Sequence, residues 1–416
     1  MRTTMMQPLP EKIKQLEVEI AGAVRGQLLK HSIYEFRYLD SALEGQPALG
    51  LLMPPSTPTY RDGDLFAVMD QHLPEGDLFM RLRALFPKQP LTPMHLLALV
   101  GSNGIGRLGY RLPDRQPAAQ ATVMDRKALL NTTYTPEVFD ELVRAYLSTG
   151  AGIAGMQPKI MVPDRPTIPI PTLIVKTASN SYPGLAANEF LCLTAASKAG
   201  ILTPGFDLSY DGQMLVLDRF DVEPDGSRLG FEDVAALMGL RVRDVLSDRK
   251  YRGSYETVAE LLKYLQLSSD NLRRFFEQVA FTVMVRNGDG HLKNFGLLYR
   301  SSGEAWLAPM FDVVTTSIYR YQQYMGGPDL EDRTLALKLF AGRGQTKAYP
   351  TTQDLQKFGR DVCGVTRPEQ VLQRIAEAMS QTLHEAESDE RIPKAVLAEM
   401  RSAWEGGLAY GSQSRV

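Results

Sequence analysis

Strand signals crowd the first half of this chain and thin out in the second. Up to Asp221, short apolar or alternating runs recur between prolines and glycines. Phe36-Arg37-Tyr38 alternates, residues 48–53 form an apolar run closed by Pro54-Pro55, and Thr172-Leu173-Ile174-Val175-Lys176 and residues 214–217 read as strands. Beyond that point helical spacing takes over: Leu272, Phe275, Phe276, Val279 and Val283 mark one amphipathic helix, and Val371, Leu372, Ile375 and Met379 another. A strand-bearing half followed by a helical half predicts a two-lobed α+β architecture. The 416 residues suit two or three domains. We divide them as 1–120, 121–220 and 221–416, with the Pro-, Gln- and Ala-rich stretch 114–122 as the best linker.

Composition excludes several classes. An apolar fraction of 44% and a charged fraction of 23% are those of an ordered globular chain. The formal net charge of −2 argues against a protein that coats nucleic acid along its whole surface. The basic cluster Arg241, Arg243, Arg249, Lys250 and Arg252 reads as a solvated surface, with a partner-facing patch as the alternative. Two cysteines, Cys192 and Cys363, make no disulfide framework and fit a reducing compartment. No stretch has the ~18 apolar residues a membrane span needs, and polar residues 1–19 hold no signal-peptide core, so a soluble cytoplasmic protein without membrane contact is expected.

Further elements fill in the order. Leu78, Phe79, Leu82 and Leu85 suggest a helix over 77–86, and residues 94–100 are a second apolar run. Thr135 and Pro136 would open a helix ending near 149, residues 160–162 a strand, and residues 187–198 a helix stopped by Gly200 and Pro204.

Four features on this frame carry chemistry. The glycine-rich connector from Gly150 to Lys159 would let backbone N–H groups approach phosphate oxygens, although such a connector is more often a plain turn. Lys176, at the end of an apolar strand, can reach a nucleotide phosphate as a point charge or simply snorkel to solvent. In Asn287-Gly288-Asp289-Gly290-His291-Leu292-Lys293-Asn294, Asp289 and Asn294 repeat the Asp-x-x-x-x-Asn spacing of a kinase catalytic loop, against the alternative of an Asp-Gly turn. Asp312 follows a predicted hairpin of 295–299 and 305–307, where a second carboxylate could return to the same metal. Together and in this order the four point to phosphoryl transfer. The five scattered histidines and the absence of His-Glu-x-x-His and Cys-x-x-Cys argue against zinc. Neither Gly-x-Ser-x-Gly nor a Walker A Gly-Lys-Ser/Thr occurs.

These residues resemble the HipA family of bacterial serine/threonine kinases, toxins of type II toxin–antitoxin systems. The likeness runs through Gly155-Met156-Gln157-Pro158-Lys159, Ile174-Val175-Lys176, Asn188-Glu189, Asp218-Arg219-Phe220-Asp221, Asp289-Gly290-His291-Leu292-Lys293-Asn294-Phe295 and Ala308-Pro309-Met310-Phe311-Asp312. Met69-Asp70, the segment to Leu85 and Gly104-Ile105-Gly106-Arg107-Leu108-Gly109 are similar to the family's N-terminal accessory subdomain. The resemblance implies a bilobal protein-kinase-like fold: a strand-containing N-lobe, an accessory subdomain before it, and a mainly helical C-lobe. It implies ATP and Mg²⁺ as cofactors and a small HipB-like helix-turn-helix antitoxin as partner, with operator DNA reached only through that complex. It further implies a protein substrate of the aminoacyl-tRNA synthetase type, and growth arrest and persistence as outcomes. By position Asp289 would be the catalytic base, with His291 and Lys293 as further catalytic residues on the same loop. Asn294 and Asp312 would hold the metal. Lys176, Ile153, Ala154, Gly155, Met156, Gln157 and Lys159 would bind phosphate, and Asp218, Arg219 and Phe220 would line the adenine hinge.

One departure stands out. Family members commonly carry an autophosphorylated serine just before the phosphate loop, where this chain has Gly152; Ser148 and Thr149 are the nearest hydroxyls. Self-inactivation is therefore expected to be absent or to use one of these two. Two rival readings stay open: a small-molecule, antibiotic-type phosphotransferase and a catalytically silent scaffold in a repressor complex. The Gly-x-Gln-Pro-Lys loop and the accessory region argue against the first, and the intact set of Lys176, Asp289, Asn294 and Asp312 against the second.

Overall fold

The computed structural model describes residues 9–39, 47–75, 79–80, 83–84, 86, 89–113, 125–135, 137–138, 159–162, 164, 170–177, 182–241, 249–321 and 329–412. Its first layer is built by alternation. In Gln15–Ile20 (β1), Leu16, Val18 and Ile20 are fully buried while Gln15 and Glu17 are half-buried. β1 pairs antiparallel with Ala23–Lys30 (β2) across a two-residue turn, Ala21-Gly22, in which both residues have positive φ. That turn twists with the strands it joins. Tyr34–Tyr38 (β3), Thr59–Asp62 (β4) and Leu108–Arg111 (β5) complete a five-stranded sheet of order β4-β3-β2-β1-β5. The short helix Ala67–Asp70 (α1) and the helix Pro93–Val100 (α2), with Thr92 as N-cap and Pro93 at its first position, share a closed core with it that includes Leu28, Phe36, Met69, Leu97 and Tyr110.

A short helix, Arg126–Asn131 (α3), precedes the second sheet. That sheet runs β6-β7-β9-β8 from Lys159–Val162 (β6), Leu173–Thr177 (β7), Phe206–Leu208 (β8) and Met214–Asp218 (β9). Leu185–Lys198 (α4) packs beside it and begins two residues before the predicted start. The remainder is mainly helical: Val234–Leu237 (α5), Tyr255–Tyr264 (α6), Ser269–Met284 (α7), Thr352–Lys357 (α8), Pro368–Glu385 (α9) and Lys394–Ser412 (α10), with α9 against α4, α7 and α10. One continuous core joins the second sheet to these helices. The predicted hairpin is present as Gly296–Ser301 (β11) and Glu304–Leu307 (β12), and Gly230–Asp233 (β10), which no apolar alternation announces, adds a third strand to it. Among the described residues no helix is long and apolar enough to cross a membrane.

The N-terminal subdomain is buckled to the rest through buried polar contacts. Asp221 accepts the Gly106 N–H at 2.7 Å, the Glu232 carboxylate accepts the Leu51 N–H at 2.6 Å, and the Gln71 amide both donates to Phe231 O and accepts from Asp233 N. Two surface assignments change. Lys250 is buried, and Arg241 is engaged by Asp62 and the Leu65 carbonyl, because both reach back to the first subdomain instead of into solvent. The expected linker 114–122, most of the helices predicted over 77–86 and 135–149, the basic-cluster member Arg243, and Ser148, Thr149 and Gly152 lie outside the described residues.

Candidate active site

β7 is a buried middle strand, flanked by β6 and β9, because Leu173, Ile174 and Val175 leave no face for water. Its end carries Lys176, only 2% exposed. A buried ammonium requires partners, and among the described residues it has two: Nζ donates to Glu189 Oε1 at 2.5 Å and to Asp312 Oδ1. Burial pulls this lysine's pKa down, but the Asp312 and Glu189 carboxylates outweigh it and the net shift is upward. Glu189 sits on α4 and is 1% exposed. The neighbouring Asn188 fixes the helix: its amide donates to Thr315 O at 3.0 Å and accepts the Thr315 N–H at 2.8 Å, and Trp404 donates to the Thr315 hydroxyl at 2.8 Å. The segment just after Asp312 is thereby locked to α4. Asp312 itself has φ +51°, a left-handed conformation that costs a non-glycine residue ~1–2 kcal/mol.

The predicted catalytic loop follows α7. Asn287 Oδ1 accepts the Asp289 N–H at 3.0 Å, and Asp289 O accepts the His291 N–H at 2.7 Å. Gly290 is required here, because a Cβ would lie 2.6 Å from Thr282 Cγ2. Asn294 closes the loop: its Oδ1 accepts the His291 N–H at 3.2 Å and its Nδ2 donates to Asp312 O at 3.2 Å. Asn294 and Asp312, read from sequence as a pair, are thus brought together, and through Asp312 the loop meets Lys176. The Asp289 side chain is 45% exposed, and its Oδ1 accepts the Tyr251 hydroxyl at 2.6 Å. His291 is buried, stands edge-on to the Tyr251 ring, and has its pKa pushed down to about 4 by burial, so it is neutral at physiological pH. Lys293 is held by Glu75 of the N-terminal subdomain.

The residues expected at an adenine hinge take unlike positions. Asp218 accepts from Arg126 at 3.1 Å. Arg219 is wholly buried against Asp221, and its backbone N–H is used by Thr172 O. Phe220 packs on Phe231 and Phe311. The Lys159 backbone pairs opposite Lys176, while Ile153, Ala154, Gly155, Met156 and Gln157 lie outside the described residues. Three residues of the constellation, Glu189, Tyr251 and Glu75, carried no role in the sequence reading. Only the Asn188-Glu189 pair gave any signal.

Among the described residues no three His, Cys, Asp or Glu side chains converge into an all-protein metal cage. Asp312 and Asn294 offer hard oxygen donors, and Mg²⁺ is commonly held by one or two carboxylates together with substrate phosphates. The donor set therefore fits Mg²⁺ with a nucleotide.

Fold and geometry define the class: a bilobal, protein-kinase-like α+β architecture with its charged constellation between the strand-bearing and helical parts. The profile described as HipA-like C-terminal domain matches residues 151–386, and that described as HipA N-terminal domain matches residues 16–111. The chain belongs to the HipA family. HipA of Shewanella oneidensis, solved with HipB and operator DNA, shares the fold at a TM-score of 0.66, with 17% identity over 96% of this chain and 97% of that one. The candidate kinase Y4dM of Sinorhizobium fredii is 31% identical over 35% of this chain, and the match spans only 38% of that relative's length. The candidate kinase Y4mE of the same organism is 23% identical over 86% of this chain and 87% of its own.

Proposed function

We propose that this chain is an ATP- and Mg²⁺-dependent serine/threonine protein kinase, the toxin of a toxin–antitoxin pair. The observation that carries the reading is the meeting of Lys176, Glu189, Asp312 and Asn294 in one connected set, with Asp289 on the loop that Asn294 closes. Asp289, half exposed, accepts the proton of an acceptor hydroxyl as it attacks. Lys176, oriented by Glu189, offsets negative charge on the transferring phosphoryl group. Asp312 and Asn294 would hold Mg²⁺, which when bound neutralises phosphate oxygens. Residues 153–157 of the glycine-rich connector, with Lys159, would cover the phosphates, and the 218–220 segment would meet the adenine. The partner is a small helix-turn-helix antitoxin, by likeness to the HipA solved with HipB and operator DNA; the acceptor is a translation component of the synthetase type.

The test is transfer from labelled Mg-ATP into a proteome extract, comparing wild type with Asp289→Ala. A discrete labelled protein, with labelling reduced ~10²–10⁴-fold in the variant, is expected. Label confined to small molecules, or retained by the variant, would refute the reading.

A further inference from the structure

We propose that Glu75 is a positioning residue of the phosphotransfer site, through which the N-terminal subdomain holds the catalytic loop in place. The inference rests on the reading of Asp289 as catalytic base. Glu75 follows α1 in Leu73-Pro74-Glu75, and its side chain is 14% exposed. One of its oxygens accepts from Lys293 Nζ, and the other lies 3.7 Å from Lys250 Nζ; both lysine side chains are 10% exposed. A single carboxylate therefore faces two nearly buried cations from two separate segments of the kinase body. Each cation is joined to the chemistry by one peptide bond. Lys293 precedes Asn294, whose amide holds Asp312; Lys250 precedes Tyr251, whose hydroxyl holds Asp289. Asp233 and Asp70 also bias Lys293, but its hydrogen bond goes to Glu75.

Exposed ion pairs position little, because water and side-chain freedom compete with them. Buried ones are strict: a lone buried ammonium is costly, so the lysines stay where the carboxylate is. The carboxylate is in turn fixed, since the subdomain that carries it is anchored at Gln71, Gly106 and Leu51. On this account the kinase site is incomplete without the first subdomain.

The test uses the full chain. Glu75→Gln should lower kcat for phosphate transfer to a mixed Ser/Thr peptide library ~10–100-fold, the scale of a ~1 Å misplacement, with the KM for ATP within ~2-fold of wild type. Hydrogen exchange of amides 287–295 and 249–252 should quicken. The conservative Glu75→Asp, which keeps a carboxylate before both lysines, should recover most of the rate. Unchanged kcat and exchange in Glu75→Gln, or ATP affinity falling in step with kcat, would overturn the proposal. If Glu75→Gln shows no cooperative melt, Glu75→Asp decides, and an ATP-binding but inactive Glu75→Asp protein overturns the proposal. A wild-type chain that transfers no phosphate refutes the kinase reading, while the exchange data still judge the tie.

Discussion

Replacing Arg219 by methionine tests how the 218–221 segment is held. The guanidinium is fully buried and donates five hydrogen bonds. Nε and Nη2 reach the Asp221 oxygens at 3.0 and 2.5 Å, Nη2 also reaches Gly104 O at 2.9 Å, and Nη1 reaches Asn103 O at 3.0 Å and Pro171 O at 3.2 Å. Methionine fills much of the volume and donates nothing. Asp221, itself fully buried, would lose both guanidinium bonds and keep the Gly106 N–H. Stranding one partner of a buried pair costs about 3–5 kcal/mol, and three carbonyls lose their donor as well, at ~1 kcal/mol each where water cannot replace it. Removing both charges with Arg219→Met and Asp221→Leu leaves the carbonyl cost and an orphaned Gly106 N–H, so the double variant should be more stable than Arg219→Met alone by about 1–3 kcal/mol. Urea unfolding followed by tryptophan fluorescence and by hydrogen exchange of the N-terminal sheet reads both numbers. An Arg219→Met protein within ~1 kcal/mol of wild type, or a double variant as unstable as the single one, would refute the reasoning.

Two further outcomes follow from burial. Desolvation pushes the Glu232 carboxyl up from 4.5 to about 7, despite bonds from the Leu51 N–H and Tyr299 and the nearness of Arg107. The unfolded chain ionises first, so this group's stabilisation is fully present below pH 4.5 and fades as pH rises through 7, by about 3 kcal/mol. Glu232→Gln should therefore melt above wild type at pH 8 and converge with it near pH 4.5; equal melting temperatures at pH 8 would contradict the assignment. Burial also pushes the Cys192 and Cys363 thiols up to about 12. Ellman's reagent at pH 8 should titrate neither thiol in the native chain and both in guanidinium, and a native thiol that reacts within minutes would disprove it.

What could be read from the sequence was what is local. The loop from Asn287 to Asn294, the strand ending in Lys176 and the amphipathic helices each carry their signal within a few residues, and all three elements are in the structure. β1 was lost in a stretch that reads as polar, because its alternation runs through Glu17 and Glu19, acids tolerated beside Arg111 on β5. β10 was hidden for the same reason: Glu232 and Asp233 are nearly fully buried, which no hydropathy pattern anticipates. The surface reading of Lys250 failed because its partner Glu75 lies far away in sequence, and Tyr251 shows its purpose only where it meets Asp289, 38 residues on. Glu189 is the instructive intermediate. Its helix was legible from its apolar residues, but an acid on a buried face looks like a fault until the Lys176 ammonium, 13 residues earlier, supplies its charge. Buried charge is costly unless paired or hydrogen-bonded, and three such acids, Glu232, Glu189 and Glu75, join the subdomain, the helix and the 287–294 loop to partners far from them in sequence or on other elements.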